Sequence, residues 1–164
     1  MSYARFCFMI AVSTVVMFGL MYLNTFAADH IFYSQTRMWM ALLMGAAMVI
    51  VMLSFMWSMY PNRMVNVAIV VVATVVFGLS LWLVRSQETV DDVSYMKAMI
   101  PHHSIAIMTS GRAHIKDPRV RKLADGIIEA QVREIKEMKQ LIAELQTNPA
   151  ADGSPDLQPA VTTQ

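Results

Sequence analysis

The chain is short, strongly apolar and close to neutral. Its 164 residues are 56% hydrophobic and only 15% charged, with a formal net charge of +1. That composition is too apolar for an ordinary small soluble domain, and no basic excess points to a nucleic-acid partner. The single Cys7 can form neither an intramolecular disulfide nor a cysteine-rich zinc site. A membrane protein is therefore the first expectation.

Three charge-free segments predict transmembrane helices at about 6–23, 38–60 and 64–84, within a membrane region of residues 1–85. Each segment can cross a hydrocarbon core of roughly 30 Å at about 1.5 Å per residue. The second and third helices are joined only by the short segment at 61–63, so they form a hairpin. Membrane lipid is the partner that this region implies.

The orientation follows from the connecting segments. Arg5 and Arg63 would share one side of the membrane and Arg37 and Arg85 the other, so the positive-inside count is nearly balanced. The short turn at Arg63 and the more acidic loop with Asp29 and His30 favour a cytoplasmic N-terminus and a C-terminal domain outside the cytoplasm. A cleaved signal peptide ending near the alanines at 27–28 is the alternative for the first helix, but the length and bulk of its apolar run favour a retained anchor.

A charged, amphipathic pattern follows the third helix and predicts a soluble hairpin of two helices over 86–146. Thr89, Asp91 or Asp92 can cap the first of these helices, and Pro118 is suited to the first turn of the second.

The predicted fold is therefore all-α: three transmembrane helices followed by a soluble helical hairpin. Two helices enclose little core, so we expect a homo-oligomer to complete a bundle. Residues 147–164 are rich in Pro, Gly and small polar residues without periodicity, which predicts a disordered tail.

The stretch "MKAMIPHHSIAIM" at 96–108 combines methionines, two histidines and a proline. Thioether sulfur suits Cu(I) far better than hard cations, and imidazole also binds copper. Met99 lies three residues before His102 and four before His103, so either ring can meet its sulfur. The two rings point about 100° apart on a regular helix. Both can bind one ion only if Pro101 distorts the helix or another chain contributes.

Folding the hairpin brings Gln131 near the two histidines, Glu134 near Met99, and Met138 near Met96 or Met99. The alternative is that these residues are core, with methionine as an adaptable filler and a buried histidine satisfied by a neighbour. His114 lies roughly 16 Å beyond His103 along a helix, so it belongs to another site or to a partner. The predicted ligands are Met99, His102, His103 and Met138, followed by Met96, with Gln131 and Glu134 as partners that hold an imidazole N–H.

Several spaced motifs over roughly 88–146 resemble one family: Asp92, Tyr95, "MIPHH" at 99–103, "AIM" at 106–108, "DPRVRKLADGII" at 117–128 and "AQVREIKEM" at 130–138. The chain resembles the bacterial domain of unknown function 305, or CopM-like, family in a membrane-anchored version. The resemblance implies a ferritin-like helical bundle, usually exported, and copper binding that supports copper tolerance. It also implies the metal-associated residues Met99, His102, His103, Met108 and Met138. Only one hairpin unit is present, which leaves open whether one protomer holds a complete site.

The second transmembrane segment adds a row of methionines at a spacing of four. In principle, such a row could supply soft ligands along the whole length of the helix. The pattern resembles Ctr-type copper transporters weakly, since their long Met-rich N-terminal segment is absent. Packing against lipid or another helix is the alternative, because methionine is apolar and adaptable. The row consists of Met40, Met44, Met48, Met52 and Met56.

These patterns predict a membrane-anchored protein that binds Cu(I), or another soft ion such as silver, for sequestration, handover or tolerance. A copper donor or acceptor protein would be its partner, and the bacterial inner membrane its location. Copper transport through a Met-lined oligomer and a non-metal envelope interaction module are the alternatives. We expect no enzyme activity, because the histidines lack the Glu-x-x-His pattern of di-iron sites and no nucleophile or phosphate-loop motif is present.

Overall fold

The computed structural model describes residues 2–151 and 154–157, so part of the predicted tail, 152–153 and 158–164, lies outside the described residues. All regular structure in the described part is helical, which confirms the all-α prediction. Two short 3-10 helices lie at Ala28–His30 and Trp57–Met59. The five α-helices are α1 Tyr3–Leu20, α2 Gln35–Phe55, α3 Arg63–Ser86, α4 Asp92–Arg112 and α5 Pro118–Thr147.

The first three helices are long and apolar enough to cross a membrane. Their ends differ from the sequence prediction by a few residues, because local capping decides them. Ser34 accepts a hydrogen bond from the backbone N–H of Arg37 (3.2 Å), so α2 begins at Gln35. Gln87 adopts a left-handed conformation (φ 55°) and ends α3. Large apolar side chains such as Phe8 are exposed on the outside of this bundle, as a lipid-facing surface requires.

The central helix of the bundle is α2, which packs against both α1 and α3. Its small residues Ala41 and Gly45 are buried. A Cβ atom at Gly45 would collide with the Oγ1 of Thr14 on α1. The small-residue face of α2 is therefore used within the chain, where it lets α1 approach closely.

A buried asparagine connects the helices at one end of the bundle, the end where α1 begins. Asn66 is fully buried, and its Oδ1 accepts a hydrogen bond from the Tyr3 hydroxyl at 2.8 Å. Its Nδ2 donates to the carbonyl oxygens of Tyr60 and Trp57 at 3.3 and 3.4 Å. One amide therefore joins α1, the α2–α3 turn and α3.

The helices α4 and α5 form the predicted antiparallel hairpin. Asp91 caps α4 by accepting the backbone N–H of Ser94 at 2.6 Å, and this bond lowers the pKa of Asp91. Asp117 caps α5, and α4 continues through Pro101. The hairpin core consists of Met96, Ile100, Ile107, Ile135 and Ile142.

The loop between α1 and α2 packs against this hairpin. Ser104, which is fully buried on α4, accepts a hydrogen bond from the backbone N–H of Phe26 at 2.7 Å. The Oγ of Ser104 is also 3.0 Å from Nδ1 of His30. The Nζ of Lys139 on α5 donates to Asp29 at 2.6 Å. The loop therefore forms a third layer on the hairpin, which local sequence patterns did not predict.

Substituting Gly45 by leucine should separate α1 from α2. We expect Gly45→Leu to lower the free energy of unfolding by about 1–3 kcal/mol, because the larger side chain overpacks the contact with Thr14. Gly78→Leu is the matched control, since a Cβ at Gly78 on α3 meets no atom within 4 Å. Unfolding by sodium dodecyl sulfate in mild detergent measures both variants. Equal stability of the two variants would contradict the close α1–α2 contact.

Acidification should release the docked loop. Burial, followed by the positive charge of Lys139, lowers the pKa of His30 below its ordinary value of 6.5, and neighbouring Asp29 opposes this shift. The docked imidazole is therefore neutral, whereas the released one titrates near 6.5. Docking is complete above this pH and weakens as the pH falls below it, because the released form then binds the extra proton.

Hydrogen exchange of the Phe26 amide, corrected for intrinsic rates, measures this docking because that amide donates to Ser104. We expect weaker protection at pH 5 than at pH 7.5, and a smaller difference in His30→Gln, whose amide does not titrate. Equal corrected protection of the wild-type amide at the two pH values would exclude His30 as the cause.

Candidate metal-binding site

An open cavity of about 440 Å³ lies between α4 and α5. Three methionines of the predicted ligand set line it together with His103. The sulfur atoms come from both helices, so the hairpin fold and not the local sequence brings them together. The lining residues are Met96, Met99 and His103 of α4 and Glu134 and Met138 of α5, with Asp92, Tyr95, Glu137, Leu141 and Leu145 around them.

The imidazole of His103 is buried and hydrogen-bonded to a carboxylate. Its Nε2 is 2.7 Å from Oε2 of Glu134, and only 9% of the residue is exposed. Its Nδ1 is buried and has no hydrogen-bond partner among the described residues. A proton on Nδ1 would leave a buried donor unsatisfied, so the favoured tautomer carries it on Nε2 and donates it to Glu134.

The lining of the cavity is acidic and contains several sulfur atoms. Its lining includes the carboxylates of Asp92, Glu134 and Glu137, and it includes neither lysine nor arginine. This balance attracts positive charge. Within the described residues, no three His, Cys, Asp or Glu side chains are grouped so as to hold a metal ion. An ion held here would therefore depend on thioether sulfur, which selects soft metals.

The remaining predicted ligands of the hairpin lie elsewhere. His102 is exposed, and its ring centroid is 6.3 Å from that of His103, with the ring planes 64° apart. His114 is exposed and follows the end of α4. Met108 is half-buried and does not line the cavity. Gln131 lines a separate shallow concavity that also includes Lys122.

The methionine row of α2 takes part in packing. Met40 is exposed and Met44 is half-buried. Met48, Met52 and Met56 pack against a cluster formed by Phe6, Ile10, Leu53 and Tyr60. An apolar cleft of about 680 Å³ runs between α1, α2 and α3, and no methionine lines it. Within one chain, the row therefore does not border an open path.

Asp29, His30 and Ser104 occur in the chain order of an Asp-His-Ser hydrolytic triad. Their contacts, however, are those of a structural hydrogen-bond network. Nε2 of His30 is 3.9 Å from Asp29, which is bonded to Lys139 instead. Ser104 is 0% exposed, and its oxygen accepts the backbone N–H of Phe26. No substrate reaches a hydroxyl that is enclosed in this way, so these contacts hold the loop in place.

Comparisons with known proteins concern the C-terminal part of the chain. Residues 86–162 match the model of a family described as a domain of unknown function, DUF305. The uncharacterized protein L153 of Acanthamoeba polyphaga mimivirus is 37% identical over 76 residues, which are 45% of this chain and 50% of that protein. The chain thus spans about half the length of this relative. No solved structure matches.

The tautomer of His103 can be measured directly. We expect the ¹⁵N shifts of the ring at neutral pH to show a protonated Nε2 and a bare Nδ1, because Glu134 accepts the Nε2 proton. Glu134→Gln retains an acceptor and should keep this preference, whereas Glu134→Ala should lose it. The exposed His102 is the internal control. A proton on Nδ1 of His103 in the wild-type protein would show that Glu134 does not set the tautomer.

Proposed function

We propose that this protein is a membrane-anchored Cu(I)-binding protein that holds copper for sequestration or handover. The observation that carries this proposal is the convergence of three methionines, Met96, Met99 and Met138, with His103 on one cavity. Uncharged thioethers beside an imidazole form a donor set that prefers Cu(I), and Ag(I) should bind to the same set.

Met99, Met138 and the imidazole of His103 are the ligands in this proposal. Met96 is only 6% exposed and lies deeper in the cavity wall, where it can supply a further sulfur. Glu134 accepts the Nε2 proton, so the bare Nδ1 carries the lone pair that a copper ion would take. The hydrogen bond to Glu134 can then persist, with the carboxylate near the bound cation. No covalent chemistry is part of this function.

The bacterial inner membrane is the proposed location, with the hairpin outside the cytoplasm. Support comes from three helices of spanning length and from the family resemblance over the hairpin. Two spans, α2 and α3, lie between the α1–α2 loop and the hairpin, so both would be on the same side, which agrees with their direct contact through Ser104. A protein that delivers or receives copper would meet the cavity on that side.

Transport through the membrane has less support. A transport path needs soft ligands that face a shared opening, but three of the five methionines in α2 pack against the cluster that contains Leu53. We therefore assign the copper chemistry to the hairpin.

Removing the thioethers without changing the packing tests this function. Leucine is close to methionine in size but has no sulfur, so we expect Met99→Leu together with Met138→Leu to retain the fold. Each lost ligand should raise the Kd for Cu(I) about tenfold or more. The measurement is an anaerobic titration of the full chain in detergent against a chromogenic chelator, with Zn(II), a borderline ion, as the competing control.

His103→Gln should weaken binding in the same way, whereas His102→Gln and Met108→Leu should not, because these two residues lie outside the cavity. The absence of competitive Cu(I) binding by the wild-type chain would sink the proposal. Equal affinity in all variants would show that copper binds at another place.

A further inference from the structure

The apolar cleft of the three-helix bundle is the largest space within the fold. Helices α1 and α3 both pack against α2, and they are joined at one end, where the Tyr3 hydroxyl donates to Asn66. The cleft begins beside this bond and has a volume of about 680 Å³. Its lining runs from Phe6 to Val15 on α1 and from Val65 to Val76 on α3, with the middle of α2 between them. We call this space the bundle cleft.

Small residues create much of the space in the bundle cleft. Gly45, Ala46 and Ala73 are buried and form part of its lining. Because their side chains are short, they leave room that larger side chains would fill. Val15 and Val72 also line the cleft and are 70% and 61% exposed, so they lie at its rim. The cleft is thus an open groove with small residues on its floor.

The lining of the bundle cleft is unsuited to a polar ligand. Its described residues are uncharged, and they are apolar apart from the thiol of Cys7 and the hydroxyl of Thr14. A water molecule in such a groove would lack the about two to four polar partners that it needs. The three helices are of spanning length, so in a membrane the groove faces the hydrocarbon core. Hydrocarbon chains and the apolar side chains of another protein are the occupants available there.

The dimensions of the bundle cleft favour a hydrocarbon chain over a whole helix. Its lining on α3, from Val65 to Val76, rises roughly 16 Å, and half of a hydrocarbon core is about 15 Å thick. A helix of that length and about 10 Å in width occupies roughly 1,200 Å³. The cleft, with about 680 Å³, is too small for it. An acyl chain is thinner, and in one leaflet it runs in the same direction as the helices.

We propose that the bundle cleft holds one acyl chain of a membrane phospholipid, from the leaflet at the end where α1 begins. The lining begins in the first turn of α3 and ends near the middle of that helix, so it lies mainly within this leaflet. The bound chain contacts α1 and α3 at the same time, and it adds van der Waals contacts to both helices across the gap between them. This inference is independent of the proposed copper binding.

A phospholipid with a diazirine in the middle of one acyl chain tests the site. The full chain is reconstituted with this probe in nanodiscs and transferred to mild detergent, which removes loosely held lipid before illumination. We expect cross-linked peptides from both α1 and α3, with the probe attached to lining residues such as Val15 and Val72. Cross-links spread evenly over the outside of the bundle, or no cross-link after the transfer, would overturn the proposal.

Two neighbouring valines of α3 provide a matched pair of substitutions. Val72 lines the cleft and Val71 does not, although they are 61% and 55% exposed. We expect Val72→Phe to fill the cleft and to lose the retained phospholipid, which native mass spectrometry counts for each chain, and Val71→Phe to keep it. Val15→Phe and Val16→Phe provide the same comparison on α1, and circular dichroism shows that the variants fold. Retention of the lipid in Val72→Phe and Val15→Phe, or its loss in the two controls, would contradict the site.

The native thiol distinguishes the lipid from the rival occupant, a second copy of this chain. Cys7 lines the cleft and is exposed. In detergent, we expect added phospholipid to slow the reaction of Cys7 with a small maleimide several-fold, at any concentration of the chain. Val71→Cys on a Cys7→Ala background is the control that phospholipid should affect much less. A rate that phospholipid does not change would overturn the proposal, and a rate that falls with chain concentration instead would assign the cleft to a second copy.

Discussion

The hydroxyl of Ser104 joins the hairpin of α4 and α5 to the rest of the molecule. It is fully buried on α4, and it receives the backbone N–H of Phe26 from the loop between the first two helices. This bond is partly buried, and a hydrogen bond of this kind contributes about 0.5–1.5 kcal/mol. Because His30 and Asp29 of the same loop contact Ser104 and Lys139, one short segment fixes both helices of the hairpin. The face of the hairpin that carries the methionine cavity is left open.

The elements could be predicted from the sequence because their causes are local. Charge-free stretches gave the three long apolar helices, and the caps Asp91 and Asp117 define the starts of α4 and α5. The docked loop could not be predicted in the same way. Phe26 and Ser104 are 78 residues apart in the chain, and neither residue belongs to a periodic pattern that would indicate their contact. Such contacts depend on how the helices are placed, which no local propensity determines.

The candidate site could also be predicted only in part from the sequence. Helical spacing placed Met99 beside His103 and the antiparallel fold placed Met138 on the facing helix, and all three residues line the cavity. The sequence could not decide between His102 and His103, because the direction of each ring depends on the rotation of α4 in the hairpin. Glu134, and not Gln131, meets the buried ring for the same reason: three residues on a helix shift a side chain by about 60°. The register of α5 against α4, when it is estimated from the length of the turn, is not accurate to three residues. It therefore could not distinguish Glu134 from Gln131.

The methionines of the hairpin serve packing and the proposed metal chemistry with the same atoms. Met96 belongs to the core cluster and also lines the cavity. A thioether can do both because it is apolar enough to be buried without a hydrogen-bond partner, yet it keeps a lone pair for a soft ion. An apolar wall of this kind excludes hard cations, which need charged or carbonyl oxygen ligands close together. In the proposed function, the carboxylates of the lining would attract cations of every kind, so the selection between metals would depend on the thioether sulfurs. Attraction and selection would thus come from different side chains of one small cavity.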